Sequence, residues 1–221
     1  MNTHLHVLEA YTQLYGVWKN ERMAQRLREL IEVTLDRIVD ARTHHFMLYF
    51  DEKWNRRTDE ISFGHDIEGS WLLLEAAEAL GDAALLQRVR AESEAMAAVA
   101  LAQGLDPMHG GFYDRIENGD RLFADKVWWI QAEAVVGFLN AYGMTGDGKY
   151  YDAACSVWGF IQKHMIDREC GEWFWQVARD GTPDRSFPRI EPWKCPYHHS
   201  RACFEILRRL GGAPGEGGHG R

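Results

Sequence analysis

Cysteine, basic charge and long apolar runs are all scarce in this sequence, and each scarcity excludes something. Four cysteines in 221 residues, Cys155, Cys170, Cys195 and Cys203, are too few and too irregularly spaced for a disulfide framework. A reducing cytoplasm is the simplest compartment. Lys and Arg number 25 against 33 Asp and Glu, a formal charge of −8, and no basic run exceeds a pair. That balance speaks against a nucleic-acid or anionic-membrane partner. The longest apolar stretches, Trp71 to Leu74 and Val135 to Leu139, fall far short of the ~20 residues of a membrane span. Met1 is followed by a polar, histidine-containing segment rather than a signal peptide. The chain reads as soluble and unexported.

Apolar residues are present in quantity, 46% of the chain, enough to bury a substantial core. They recur at helical spacing: Met23, Leu27, Leu30, Ile31, Thr34 and Ile38 in one segment, Val127, Ile130, Ala134, Phe138 and Tyr142 in another. Further segments carry Ile67, Trp71, Leu74 and Leu80, then Tyr151, Ala154, Cys155, Trp158, Ile161 and Met165. These predict amphipathic helices and an all-α fold. Short polar joints at Gly16 to Asn20, Gly81 to Ala83 and Gly143 to Gly148 make them antiparallel hairpins. Each hairpin is followed by a long irregular stretch: Arg42 to Gly64, Gly104 to Lys126 and Asp167 to Tyr197.

The hairpins repeat. Glu9 to Leu14 aligns with Glu75 to Leu80, and Gly81 with Gly143 and Gly211, at spacings of 62 to 68 residues. Such a unit cannot bury its apolar face alone, so neighbours stack into a solenoid or toroid. In a toroid the first helix of each pair lines the inside. About three and a half hairpins are present, fewer than a closed ring needs. Residues 1–210 read as one domain, and 211–221, rich in Gly, as a flexible tail.

Chemistry gathers at the starts of the first helices. His65 and Glu68 share a helix face, where a carboxylate could orient an imidazole; the duller alternative is a helical first turn with favourable acids. The loop Glu191-Pro192-Trp193-Lys194-Cys195-Pro196-Tyr197-His198-His199 brings a histidine to the corresponding place in the last helix. A zinc site using Cys195 and His198 lacks the accompanying ligand spacing, so no metal is expected. Asn2 and His6 share a face of the first helix, with His4 turned elsewhere. Trp128 and Trp129 start another inner helix, and adjacent indoles cannot point the same way. Aromatic faces pack cores and also stack on sugar rings. Two imidazoles facing one substrate suit removal of a proton from one face of a carbon and its return to the other, since a pKa of ~6.5 serves both acid and base.

Three stretches, Ser62-Phe63-Gly64-His65-Asp66-Ile67-Glu68-Gly69-Ser70-Trp71-Leu72-Leu73, Trp128-Trp129-Ile130-Gln131-Ala132-Glu133, and Glu191 to His198, together with Asn2 to Ala10, resemble the N-acylglucosamine 2-epimerase family, most of all its cellobiose 2-epimerase branch. The resemblance covers nearly all of residues 1–210. It implies an (α/α)6 barrel, about half of it present, that interconverts glucose and mannose units at the reducing end of a cellobiose-type disaccharide without a cofactor. It implies His65 and His198 as the acid/base pair working through an enediolate, with His6 assisting ring opening and proton relay. Asn2 and Glu68 would hold hydroxyls or the intermediate. Trp128 and Trp193 would be stacking platforms, with Trp129 and Glu133 close behind. Arg201 could pair with a carboxylate. Family members are nearly twice as long, and their N-terminal half brings an arginine for the enediolate oxygen. Met1 therefore reads as a truncated or internal start, and self-association or a missing N-terminal half is expected at the open edges. A free hexose or an N-acylated hexosamine remains an alternative substrate, and a noncatalytic sugar-binding remnant an alternative role. A glycoside hydrolase would need two carboxylates flanking the scissile bond, and Glu68, Glu133 and Glu191 form no obvious pair.

Overall fold

Glycine and aspartate make the joints. In the computed structural model, which describes residues 1–211, Gly81 and Gly146 adopt left-handed φ of 76° and 72°. Their N–H groups donate back to the carbonyls of Ala77 and Tyr142 at 3.0 and 2.7 Å, ending one helix. Asp82 and Asp147 then cap the next by accepting from the N–H of Leu85 and Lys149, as Asn20 does from Arg22 and Met23. The result is α1 (Asn2–Val17) with α2 (Glu21–Val33), α3 (Phe63–Leu80) with α4 (Ala83–Gly104), and α5 (Trp128–Thr145) with α6 (Gly148–Phe160), followed by α7 (Tyr197–Leu210). Of the Gly-rich tail, only Gly211 falls within the described residues.

The odd-numbered helices pack side by side, α1 on α3, α3 on α5 and α5 on α7, while α2 and α4 each touch the inner helix of the following pair as well as their own. This is the toroid arrangement expected from the repeat, and the ring does not close. The reading of Val127 to Tyr142 as amphipathic needs correction. From Ile130 to Ala141 every position of α5 is buried, because α3, α4, α6 and α7 surround it. Outer helix α2 does bury one stripe, Leu27 and Ile31.

The irregular stretches hold structure that helical periodicity gives no sign of. β1 (Ile61–Ser62), β2 (Arg115–Glu117) and β3 (Arg121–Phe123) form one antiparallel sheet, and β4 (Lys126–Val127) pairs with β5 (Gln176–Val177). β1 runs straight into α3 and β4 into α5, so these sheets fix where the inner helices begin. Each loop also opens with the same turn: Asp40, Asp106 and Asp167 accept from the N–H two residues on. Among the described residues no helix is long and apolar enough to cross a membrane.

Candidate active site

The inner-helix starts converge on one cleft, a cavity of about 400 Å3. Asn2 and His6 reach it from α1, His65 and Glu68 from α3, Trp128 and Trp129 from α5, and His198 from α7, with Trp193 at the rim. Eight of the nine residues singled out in the sequence thus meet in one place. The ninth, Glu133, is fully buried behind His198. Its Oε1 lies 2.7 Å from His198 Nδ1 and accepts from Arg201 Nη2 at 2.7 Å, and its Oε2 accepts from Trp71 Nε1 at 3.1 Å. Glu133 therefore orients a histidine.

Trp129 lies against both imidazoles. Its ring lies 4.8 Å from that of His65 and 5.4 Å from that of His198, centroid to centroid. Gly64 makes this approach possible, because a Cβ there would come within 2.6 Å of the indole. Burial is the largest cause that pushes the His65 imidazole down, to about 4, reinforced by His6 and His198. A group with that affinity is a neutral imidazole at physiological pH. Its support is not the carboxylate expected from the His65–Glu68 spacing. His65 Nδ1 lies 2.7 Å from Ser62 Oγ, while Glu68 Oε1 accepts from Arg201 Nη2 at 2.7 Å. A full turn of helix brings the two residues to one face, but the nearby guanidinium is the stronger partner for an anion.

Arg201 ties the floor together. One Nη2 bridges Glu68 and Glu133, and Nη1 donates to Glu9 and to Tyr197 Oη. Although burial opposes its charge, the three carboxylates hold the guanidinium above its usual range. Burial likewise raises the Glu68 carboxyl, and neighbouring Glu133 adds to this. At Glu133 burial is overridden by Arg201 and His198, and the group stays below the usual range. The pair is thereby sorted into one ionised carboxylate and one with a proton more readily at hand. Against burial, His6, Arg201 and Tyr197 bring Glu9 down to about 2. The hydrogen bond to Glu9 in turn raises His6.

Glu68, Glu133 and His198 bring ligand atoms within 4.8 Å of one another, but Arg201 already occupies both carboxylates. Cys195, the other member of the zinc alternative, is exposed.

The whole of residues 1–202 matches the family model described as N-acylglucosamine 2-epimerase. The chain belongs to that family. Cellobiose 2-epimerase of Bacteroides fragilis is 42% identical over 207 residues, covering 94% of this chain and 53% of the relative. Bovine N-acylglucosamine 2-epimerase is 32% identical over 156 residues, 66% of this chain. Among solved structures, cellobiose 2-epimerase from Bacillus thermoamylovorans superposes with a TM-score of 0.89 at 39% identity, over 95% of this chain and 53% of that one. The chain spans about half the length of the curated cellobiose 2-epimerases it matches. Around the cleft, the sequence alone did not single out Ser62, Glu9, Tyr197 or Trp175. The i, i+4 spacing of Tyr197 and Arg201 was a signal for two of the residues around Glu9, and the i, i+3 spacing of His6 and Glu9, the same as that of His65 and Glu68, was a signal for Glu9 itself.

Proposed function

We propose that this cleft epimerises the second carbon of a reducing-end aldose, the glucose or mannose unit of a cellobiose-type disaccharide. The observation that carries the reading is the pair of imidazoles that line one cavity, each against the Trp129 indole. In the opened sugar the C1 carbonyl acidifies the C2 hydrogen. One imidazole takes that proton through its free ring nitrogen, leaving an enediolate, and the other returns a proton to the opposite face. The neutral state of His65 suits it to the taking role, and the Glu133-backed His198 suits the giving role; the reverse reaction exchanges them. His6 assists ring opening, Asn2 and Glu68 hold hydroxyls or the intermediate, and Trp128 and Trp193 carry the sugar faces.

A disaccharide is favoured over a hexosamine because matches to cellobiose 2-epimerases extend over 94% and 95% of the chain, against 66% for the bovine N-acylglucosamine enzyme. Hydrolysis has less support, since Glu68 and Glu133 share one guanidinium nitrogen rather than flanking an open bond. A second chain or segment would complete the wall of the half-ring. All four cysteines are free, which fits a reducing cytoplasm.

Proton NMR of cellobiose in heavy water tests the proposal. Exchange at C2 and a mannose-ended product are expected from the intact chain, neither from His65→Asn, and no mannose-ended product from His198→Asn, while both variants still bind the sugar. A folded wild-type chain that binds cellobiose without exchange is a sugar-binding remnant instead.

A further inference from the structure

Ser62 ends β1 and occupies the N-cap position of α3, where a serine oxygen ordinarily accepts from a backbone N–H in the first turn. Here it makes no such bond. Its hydroxyl is turned to His65 Nδ1, 2.7 Å away. Ser62 is 6% exposed and is pinned by the β1–β2 pairing opposite Arg115, and the next N–H, of Phe63, donates to Asp114 O at 3.3 Å. The imidazole is therefore fixed between a hydroxyl held by a sheet and the Trp129 indole held by α5. A capping group has been diverted from the helix to a side chain.

We propose that Ser62 is a positioning residue for His65: its Oγ accepts the Nδ1 hydrogen and so presents the Nε2 lone pair to the cleft as the proton-accepting atom. A neutral imidazole carries one ring hydrogen, and the partner of one nitrogen decides which. A hydroxyl can take this hydrogen without the added negative charge by which a carboxylate stabilises imidazolium, so the ring is oriented and stays a neutral base. When Nε2 takes a proton from C2, Nδ1–H remains on Ser62 and the same Nε2 later releases the proton. The charged and titratable groups facing His65 are His6 from α1, the amino group of Met1 just before it, Glu133 from α5 and His198 from α7. The kinetic consequence rests on the epimerase reading; the tautomer does not.

The test uses the full chain labelled with 15N in histidine, with His65→Asn assigning the ring signals near neutral pH. Wild type and Ser62→Thr are expected to show His65 as the Nδ1–H tautomer, and Ser62→Ala to shift it toward Nε2–H. Ser62→Ala loses no cap bond but leaves a buried imidazole nitrogen without its partner, so its melting temperature should fall modestly and Ser62→Thr should restore it. For C2 exchange, kcat should fall about tenfold in Ser62→Ala with KM little altered, and recover in Ser62→Thr. A wild-type His65 that is chiefly Nε2–H, or one whose tautomer is the same in Ser62→Ala, overturns the assignment. If wild type shows no exchange at all, the epimerase reading fails while the ring-nitrogen spectra still decide the role of Ser62.

Discussion

Of the two imidazoles against Trp129, His65 rests on a serine hydroxyl and is kept neutral by burial. The other, His198, rests on the carboxylate of Glu133, itself held by Arg201 and Trp71. Three residues beyond its histidine α3 carries Glu68 and α7 carries Arg201, while α5, with Ile130 in place of the histidine, carries Glu133. The repeat thus supplies one geometry, and substitution within it supplies opposite charges that neutralise each other in the centre of the half-ring. A buried guanidinium between two buried acids is tolerable only as a set, since any member left alone is an unpaired charge away from water. The two imidazoles come out unequal in their supports, although both sit in the first turn of an inner helix. That inequality is what a reaction needs if one group is to take a proton while the other gives one.

The difference is most strongly tested at Glu133. Replacing it with Gln keeps the shape and the Trp71 contact but removes the ionised acceptor for His198 and one counter-charge of Arg201. C2 exchange should fall on the order of a hundredfold in kcat, more than in Ser62→Ala, with sugar binding retained. An equal or smaller loss than in Ser62→Ala would mean that the two supports do not differ in kind.

Acid should sharpen the contrast next. Proton abstraction by a His65 of pKa about 4 persists well below the ordinary histidine range of ~6.5 and is lost as pH falls through about 4. The same depression has a stability consequence. Its folded pKa lies below its unfolded value, so its contribution is present above about pH 6.5 and is lost as pH falls toward 4. Chemical denaturation between those limits should therefore show wild type losing stability more steeply than His65→Asn, by up to about one proton in the slope. An activity limb near 6.5, or parallel stability curves, would remove the neutral-base assignment.

Much of this was legible in the sequence, for reasons that differ by element. The hairpins were legible because glycine and aspartate punctuate the joints and apolar residues recur at helical spacing. The full burial of α5 was not, because a helix enclosed by four others looks in sequence like one with a broad apolar face. The short strands were missed because two or three residues cannot display alternation. In the cleft, residues on the first turns of inner helices were found together since the repeat places them at equivalent positions. Their hydrogen-bond partners were harder to find. Ser62 looks like an ordinary helix cap, Glu68 like the natural support of His65, and Glu9 like a partner for His6 alone. Only their arrangement in space shows that the caps and ion pairs have been exchanged between neighbours.

The smallest effect belongs to the rim, where the contrast between the two histidines should vanish. Trp193 is 84% exposed and no hydrogen bond of its indole to either imidazole is present among the described residues. Its place at the cavity mouth makes it a stacking surface for a sugar ring, so Trp193→Ala should raise KM for cellobiose about threefold to tenfold, equivalent to roughly 1 kcal/mol of aromatic contact, and leave kcat unchanged. The His65 acid limb and the ring-nitrogen spectra should both match wild type. If instead kcat falls and the limb moves, Trp193 controls the enclosure of the cleft, because water admitted beside His65 would relieve the desolvation that keeps its imidazole neutral.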